Sequence, residues 1–335
     1  MEDERLRELA DWLVRDCGLR LEALAPASSD ASFRRYFRVT SGGETYVAMD
    51  APPEREGTEA FRRIAGWLAG MELEAPRVLA ADPDRGFLLL TDLGEELYLE
   101  RLRARPGEAD RLYGAAIRAL AKMQALGAAH VRELPPYDRT LLETEMTLFR
   151  DWLCMRHLSL VWSAAEESAW RELVAVLTAN ALAMPAVFVH RDYHSRNLMV
   201  TRRPPGILDF QDAVAGPPVY DLVSLLKDCY IAWPRDRVLD WATEYRHAAA
   251  ERGLDTWSGA AEFLRTFDLM GVQRHLKAAG IFARLWHRDG KSGYLADVPR
   301  TLGYVTAIAS DYPELDWLNG LIESRVLPAL SGSRP

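Results

Sequence analysis

The sequence predicts an α+β protein in which a small antiparallel sheet precedes a mainly helical region. Short strand-like apolar segments separated by turns occupy the first third of the chain, and helical periodicity dominates after Leu93-Gly94. One polar segment, residues 190–197, interrupts the helical region between short apolar runs. We therefore expect two domains, an N-lobe at residues 1–93 and a C-lobe at 94–335, each able to bury a core in a chain of 335 residues.

The first domain begins with a predicted helix at residues 3–17, where Leu9 and Leu13 repeat at helical spacing and Gly18 follows as a stop. A second helix is predicted over 53–70 because its apolar residues share one face. Five segments have strand character and are bounded by turns: 21–24, 33–40, 45–49, 78–80 and 87–91. These elements indicate an antiparallel sheet with helical cover.

The second domain is predicted to be helical for most of its length. Helical periodicity covers 109–126, 141–160, 164–183, 219–230, 235–251, 260–288 and 315–327. Three short apolar runs, 187–189, 198–200 and 207–208, surround the polar segment instead. The polar residues should therefore lie on loops between short strands.

Composition predicts a soluble, cytoplasmic protein. The N-terminus is acidic where a secretory signal would be basic, and no segment supplies the roughly 18 uncharged apolar residues that span a bilayer. Three widely spaced cysteines indicate neither a disulfide framework nor a zinc cluster. The formal net charge of −8 argues against broad nucleic-acid binding. We expect a monomer without nucleic-acid or membrane partners.

The polar segment carries the residues whose chemistry is clearest. It contains His190-Arg191-Asp192 and Asn197, and Asp209 follows the next two apolar runs. Phosphoryl transfer requires a carboxylate that orients the attacking hydroxyl and accepts its proton, and hard oxygen ligands for Mg²⁺. Asp192 is the candidate base, and Asn197 and Asp209 are the candidate metal ligands. Turn capping is the alternative role for Asp192 and Asn197, but the complete set favours an ATP- and Mg²⁺-dependent kinase.

This chain resembles the aminoglycoside phosphotransferase and choline kinase family, relatives of the protein kinases, over roughly residues 20–310. Residues 190–197, Asp209 and 217–221 carry the resemblance. It implies a bilobal protein-kinase-like fold, with a five-stranded N-lobe, a hinge near 91–94 and a helical C-lobe. It also implies that Asp192 is the catalytic base and that Asn197 and Asp209 hold magnesium.

More narrowly, the segments 32–39, 49–53 and 208–213 are similar to those of the anomeric kinases of bacterial cell-wall recycling. This resemblance implies phosphorylation of N-acetylmuramate and N-acetylglucosamine at the C1 hydroxyl. Two alternatives stay open at this stage. One is a kinase for another small alcohol, such as an aminoglycoside or choline, and the other is a nucleotide-binding module without catalytic activity.

The predicted phosphate-binding loop differs from the glycine-rich loop of kinases. It lies between the first two strands and contains no glycine, so backbone N–H groups and the hydroxyls of Ser28, Ser29 and Ser32 are the candidate phosphate contacts. Adenine would then bind at the hinge, where backbone groups of Asp92 and Leu93 read its edge. An ordinary turn is the alternative for both segments.

A second departure is the absence of any lysine before Lys122. The third strand carries Met49 or Asp50 where kinases place the lysine that binds the phosphates. Arg34 and Arg38 share one face of the preceding strand and are the candidate replacements, because a guanidinium matches phosphate oxygens. Glu56 or Glu59 could pair with such an arginine, and solvated edge-strand charges are the alternative.

Acceptor recognition is expected in the helical domain. The candidate residues are His194, Glu145 and Arg274, although polar residues of helices more often form solvated faces or internal ion pairs. A muramyl acceptor carries a lactyl carboxylate and requires a nearby cation, whereas a polycationic antibiotic requires carboxylates. We expect His190 to be a packing residue. Asp221 is expected to cap a helix, and the family resemblance adds that it braces the catalytic loop.

Overall fold

The structure, a computed structural model, describes residues 3–27 and 34–332. The chain forms two compact units. The first comprises Met1–Arg101 and Asn197–Asp212, and the second comprises Leu102–Arg196 and Ala213–Pro335. The segment Asn197–Asp212 thus belongs to the unit that contains the sheet, whereas the predicted boundary at residue 93 placed it with the helices. The lobe limits remain a prediction.

The first unit contains the predicted small antiparallel sheet. Its strands are β1 (Ala23–Pro26), β2 (Arg35–Ser41), β3 (Glu44–Asp50), β4 (Val78–Asp82) and β5 (Phe87–Thr91), in the spatial order β1-β2-β3-β5-β4. All four pairings are antiparallel. Gly42 and Gly43 form the turn between β2 and β3 with φ of +62° and +80°, a conformation that glycine adopts without steric cost.

Two helices accompany the sheet in this unit. Helix α1 (Glu4–Arg15) buries Leu9, Trp12 and Leu13 in one core with residues of β2, β3 and β5. Helix α2 (Glu59–Gly70) begins later than the predicted residue 53, because residues 52–56 form a turn closed by bonds to the Pro52 carbonyl. Burial of the α1 side chains contributes roughly 1.5–3 kcal/mol for each large apolar group.

The second unit is helical as predicted. Helix α3 (Tyr98–Ala104) begins in the first unit and ends in the second. The helices that follow are α4 (Ala109–Gly127), α5 (Arg139–Leu148), α6 (Ala164–Leu182), α7 (Val219–Leu226), α8 (Arg235–Ala250), α9 (Ala260–Asp289), α10 (Val298–Thr306), α11 (Asp316–Leu321) and α12 (Leu327–Gly332). Sequence periodicity missed the short helices α3 and α10. Among the described residues, no helix combines the length and apolarity needed to cross a membrane.

The predicted helix over residues 141–160 is not one regular α-helix. Helix α5 ends at Leu148, and Phe149–His157 continue as a π-helical segment. Helix α9 approaches this junction closely, since a Cβ at Gly280 would lie 2.2 Å from the Leu148 carbonyl carbon. Only glycine fits there without displacing the backbone, which fixes where α9 crosses α5.

Four short strands flank the predicted catalytic residues. Strand β6 (Val187–Val189) pairs with β9 (Val214–Gly216) in the second unit. Strand β7 (Leu198–Met199) pairs with β8 (Gly206–Ile207) in the first. The polar segment therefore leaves β6 and enters β7, as the apolar runs around it predicted.

Candidate active site

The loop after β6 is held by a buried carboxylate from α7. Asp221 accepts hydrogen bonds from the backbone N–H groups of His190 at 2.7 Å and Arg191 at 2.9 Å. It lies inside α7 and does not cap that helix, so the capping role is wrong and the bracing role is confirmed. Burial raises the pKa of Asp221 to about 7, although both N–H groups favour the carboxylate.

The backbone of this loop adopts an uncommon conformation next to the candidate base. Arg191 has φ of +77°, in the left-handed region that residues other than glycine rarely occupy. The N–H of Asp192 donates to Nδ1 of His190 at 3.2 Å, and His190 is completely buried against Tyr193. His190 thus packs and orients the loop, as expected. Such strained conformations persist where the surroundings fix them, and they cluster at active sites.

The second half of the loop is anchored to the helical unit. The backbone N–H and Oγ of Ser195 donate to Asp228 at 2.9 and 2.5 Å, and the N–H of Tyr230 donates to the same carboxylate at 2.8 Å. The Tyr193 hydroxyl donates to the Ala116 carbonyl at 2.9 Å. Bonds on both sides of Asp192 therefore fix its position in the second unit.

A buried ion cluster lies beside the loop. Glu145 of α5 pairs with Arg191 at 2.5 Å and with Lys277 of α9 at 2.9 Å. The Tyr137 hydroxyl also donates to Glu145, and Lys277 donates to the Tyr220 hydroxyl at 2.8 Å. These internal partners favour a positioning role for Glu145. Its predicted acceptor contact stays a prediction.

The electrostatic surroundings of Asp192 favour its ionised form. Burial alone would raise the pKa of Asp192, but nearby positive charge, led by Lys277 and including Arg191 and Arg274, holds it below the usual aspartate value. Asp192 is therefore a carboxylate at neutral pH. It can accept a hydrogen bond from an alcohol and take up the proton as the new bond forms.

The two predicted metal ligands lie together in the first unit. The Asn197 amide donates to Asp209 at 3.4 Å, and the Leu208 N–H donates to the Asn197 carbonyl at 2.9 Å. Asp209 has φ of +60°, and Gln211 donates to its other oxygen at 2.8 Å. Phe61 of α2 packs against Phe210 with ring centroids 4.7 Å apart, which supports this turn.

The chemistry of these groups fits magnesium. Asp209 and Asn197 offer carboxylate and amide oxygens, and Oε1 of Gln211 is buried without a hydrogen-bond partner. Within residues 3–27 and 34–332, no group of three or more His, Cys, Asp or Glu side chains could hold a metal. Magnesium retains several waters and takes few protein ligands, so a small oxygen set suits it.

Three arginines, Arg34, Arg35 and Arg38, lie in or just before β2, next to the strand that carries no lysine. Arg34, just before β2, pairs with Glu56 at 2.9 Å, and its side chain is 11% exposed. Asp50 occupies the end of β3, is completely buried, and pairs with Arg5 and Arg35 at 2.5 Å each. The candidates Ser28, Ser29 and Ser32 lie outside the described residues.

Arg38 has different partners from Arg34. It pairs with Asp92 at 2.8 Å and Glu95 at 2.5 Å, and it donates to the Gly94 carbonyl at 2.6 Å. Asp92 also accepts from the Gly94 N–H at 2.9 Å, so these bonds shape the turn after β5. The predicted adenine contacts at Asp92 and Leu93 remain a prediction.

The remaining acceptor candidates lie in the helical unit. His194 is 9% exposed, its Nδ1 is buried without a hydrogen-bond partner, and its ring contacts Tyr230. Arg274 is 6% exposed and donates to Cys229 Sγ at 3.5 Å. Sequence analysis missed the role of Lys277 beside Asp192. Lys277 is one of several polar residues in this part of α9, and no local signal distinguishes it from Gln273 and His275.

A braced aspartate loop in the helical unit and neighbouring amide and carboxylate groups in the sheet unit are the kinds of group that phosphoryl transfer requires. The chain belongs to the phosphotransferase enzyme family, whose sequence model it matches over residues 23–263. This finding confirms the predicted family and enzyme class.

Curated relatives match nearly the whole chain. A protein of Pseudomonas aeruginosa named N-acetylmuramate/N-acetylglucosamine kinase is 47% identical over 90% of this chain and 88% of its own length. Proteins of the same name from Pseudomonas putida and Neisseria meningitidis are 44% and 42% identical, each over at least 95% of both chains.

Solved structures confirm the fold. The choline kinase LicA of Streptococcus pneumoniae has a TM-score of 0.62 at 10% identity, covering 92% of this chain and 100% of its own. An ADP-bound aminoglycoside phosphotransferase has a TM-score of 0.57 at 14% identity, covering 91% and 98%. The predicted kinase-like α+β fold is therefore correct.

Proposed function

We propose that this protein uses ATP and Mg²⁺ to phosphorylate the C1 hydroxyl of N-acetylmuramate and N-acetylglucosamine, in the recycling of bacterial cell-wall sugars. The observation that carries the proposal is the loop bearing Asp192, fixed on both sides within a chain 47% identical to a kinase named for these two sugars. The braced base argues against a nucleotide-binding module without catalytic activity.

The reaction assigns one proton to Asp192. The C1 oxygen of the sugar attacks the γ-phosphorus, and the bond from phosphorus to the β–γ bridging oxygen breaks. The hydroxyl proton passes to Asp192, and ADP leaves with the bridging oxygen. Lys277 and Arg191 keep the carboxylate ionised before each turnover. Asp221 and Asp228 keep the loop in place.

Asn197 and Asp209 would hold magnesium in this enzyme. A bound ion would neutralise charge on the phosphate oxygens. Gln211 donates to Asp209 and so restrains the orientation of its carboxylate. The Ser28, Ser29 and Ser32 hydroxyls contact the phosphates in this proposal. The solved relatives bound to ADP and GDP support the binding of a nucleotide.

A panel of acceptors tests the proposed substrate. We expect ATP- and magnesium-dependent ADP release with N-acetylmuramate and N-acetylglucosamine, and a sugar 1-phosphate in the phosphorus NMR spectrum. Choline and aminoglycosides, at the same concentrations, are the matched comparisons. Preferential turnover of choline or an aminoglycoside, or phosphorylation at a hydroxyl other than C1, would contradict the proposal.

We assign the missing N-lobe cation to Arg34. Arg34 has Glu56 as an orienting partner, as the phosphate-binding lysine of protein kinases has a glutamate, whereas the contacts of Arg38 shape the turn after β5. Arg34→Ala should lower kcat/KM for ATP roughly 10- to 100-fold, as expected for the loss of a charge-assisted bond worth about 1.5–3 kcal/mol. Steady-state kinetics with varied ATP measures the effect.

Two variants sharpen this test. Arg34→Lys should recover only part of the loss, because a point charge does not reproduce the bidentate fork. Adenosine binding should change less than turnover in both Arg34 variants, since adenosine has no phosphate. Arg38→Ala should disturb the turn after β5, where adenine is predicted to bind, and so weaken the binding of adenosine and of ATP to a similar extent. Normal kinetics for Arg34→Ala would remove Arg34 from the site.

A further inference from the structure

Arg274 is a buried guanidinium with little internal compensation. It lies in α9 and is 6% exposed. Within the described residues, its one hydrogen bond is to Cys229 Sγ at 3.5 Å, and it forms no ion pair. A guanidinium carries five N–H donors and stays charged at every accessible pH. Burying such a group with a single thiol acceptor is costly unless a ligand completes it.

The other cations near Asp192 are already matched. Lys277, Arg191 and Arg274 are the cations whose charge lowers the pKa of Asp192, and His194 adds to this effect only when its ring is protonated. Lys277 and Arg191 share the Glu145 carboxylate. Burial lowers the pKa of His194, so its ring is neutral near pH 7. Arg274 is therefore the permanent charge of this set that has no carboxylate partner among the described residues.

Two nearby carboxylates attract Arg274 without forming an ion pair with it. Asp192 attracts it more strongly than Asp228 does, and the oxygens of Asp228 accept from the N–H and hydroxyl of Ser195 and from the N–H of Tyr230. Those bonds hold the catalytic loop. Arg274 thus keeps most of its hydrogen-bonding capacity for a group that enters the site.

We propose that Arg274 binds the lactyl carboxylate of N-acetylmuramate and sets the preference for that sugar over N-acetylglucosamine. The inference rests on the proposed function, since it concerns the acceptor of the same reaction. The two sugars differ only by the lactyl ether at C3, which adds one negative charge. A planar guanidinium can bind a carboxylate through two parallel hydrogen bonds.

The spacing along α9 suits this assignment. Arg274 precedes Lys277 by three residues, so the two side chains share a helix face about 4.5 Å apart along the axis. Lys277 lies beside the base, where the C1 hydroxyl must bind for transfer. This separation along the helix is comparable to the distance across a pyranose ring from its C1 oxygen to its C3 substituent.

Two substitutions test the assignment through a ratio of kcat/KM values. Arg274→Gln should lower kcat/KM for N-acetylmuramate roughly 10- to 100-fold relative to kcat/KM for N-acetylglucosamine, the scale of a lost charge-assisted bond. A smaller loss shared by both sugars is expected, because Arg274 also acts electrostatically on Asp192. Arg274→Lys should retain part of the preference. The ratio distinguishes an effect on acceptor recognition from an effect on folding, because both sugars are assayed with the same protein.

A chemical probe provides the complementary arm. The methyl ester of N-acetylmuramate lacks the carboxylate charge, so the wild-type enzyme should lose a similar factor with the ester as Arg274→Gln loses with the acid. Arg274→Gln should barely distinguish ester from acid, because the two changes remove one interaction. Arg284→Gln is the matched control, since Arg284 lies on the same helix and forms no ion pair among the described residues.

Several outcomes would overturn the inference. If Arg274→Gln lowers kcat/KM equally for both sugars, their ratio is unchanged. Arg274 would then stabilise the fold or act electrostatically on Asp192, without binding the carboxylate. A ratio that changes in Arg284→Gln instead would move the carboxylate site along α9. If Arg274→Gln does not fold, two other results would contradict the inference together. They are an unchanged kcat/KM ratio in Arg274→Lys and equal wild-type kcat/KM values for the methyl ester and the acid. If the wild-type enzyme phosphorylates neither sugar, the proposed function itself fails.

Discussion

Asp192→Asn should lower turnover by roughly 10²–10⁴-fold while nucleotide affinity stays near that of the wild type. The amide keeps the shape of the side chain but cannot accept the proton of the attacking hydroxyl. The hydrogen bonds to Asp221 and Asp228 that fix the loop do not involve the Asp192 side chain, so the loop should retain its conformation. ADP release and nucleotide titration measure the two effects separately.

A charge-matched control distinguishes this role from a general loss of negative charge. Asp240→Asn changes an exposed aspartate of α8 in the same unit and should leave turnover unchanged. Turnover of Asp192→Asn within a few-fold of wild type would remove Asp192 from the base role. A large loss of nucleotide affinity would instead show that Asp192 acts in nucleotide binding.

The parts of the fold that follow local rules could be predicted from the sequence. The sheet was predicted because alternating strands and the Gly42-Gly43 turn are local signals, and the structure has all five strands. The loop containing Asp192 was predicted because its residues are contiguous. The bracing role of Asp221 came from the family resemblance, and its bonds to His190 and Arg191 confirm it, whereas the helix cap expected from the sequence is wrong.

The remainder depends on contacts between distant segments. No local signal shows that Arg191 and Lys277 share the carboxylate of Glu145. The sequence therefore indicated a polar residue of α5 and not its internal ion pairs. The alternation of side chains along the strand placed Arg34 and Arg38 on the same face and did not distinguish their roles. Their tertiary partners, Glu56 for Arg34 and Asp92 for Arg38, do distinguish them. The π-helical segment after Leu148 likewise has no signature in helical periodicity.

Asp209→Ala should weaken magnesium-dependent nucleotide binding and lower turnover by roughly 10²–10³-fold, because it removes the proposed carboxylate ligand of the metal, a contact worth several kcal/mol of charge stabilisation. The affinity for ATP in the absence of Mg²⁺ should change little, because the substitution removes a negative charge but no contact with the adenine. Calorimetric titration of ATP with and without Mg²⁺ gives the difference between the two affinities. That difference, and not turnover alone, reports on the metal.

The surroundings of Asp209 allow ligation to be separated from folding. Asp209 has φ of +60°, which asparagine tolerates better than alanine, so Asp209→Asn preserves the turn and the neighbouring Gln211 while removing the charge. Both variants should lose the magnesium-dependent part of ATP binding. Asp84→Ala, an exposed change of the same charge in the first unit, should keep it. If Asp209→Asn binds ATP with an unchanged magnesium dependence, the metal is held by other residues. A defect confined to Asp209→Ala would then reflect the strained turn.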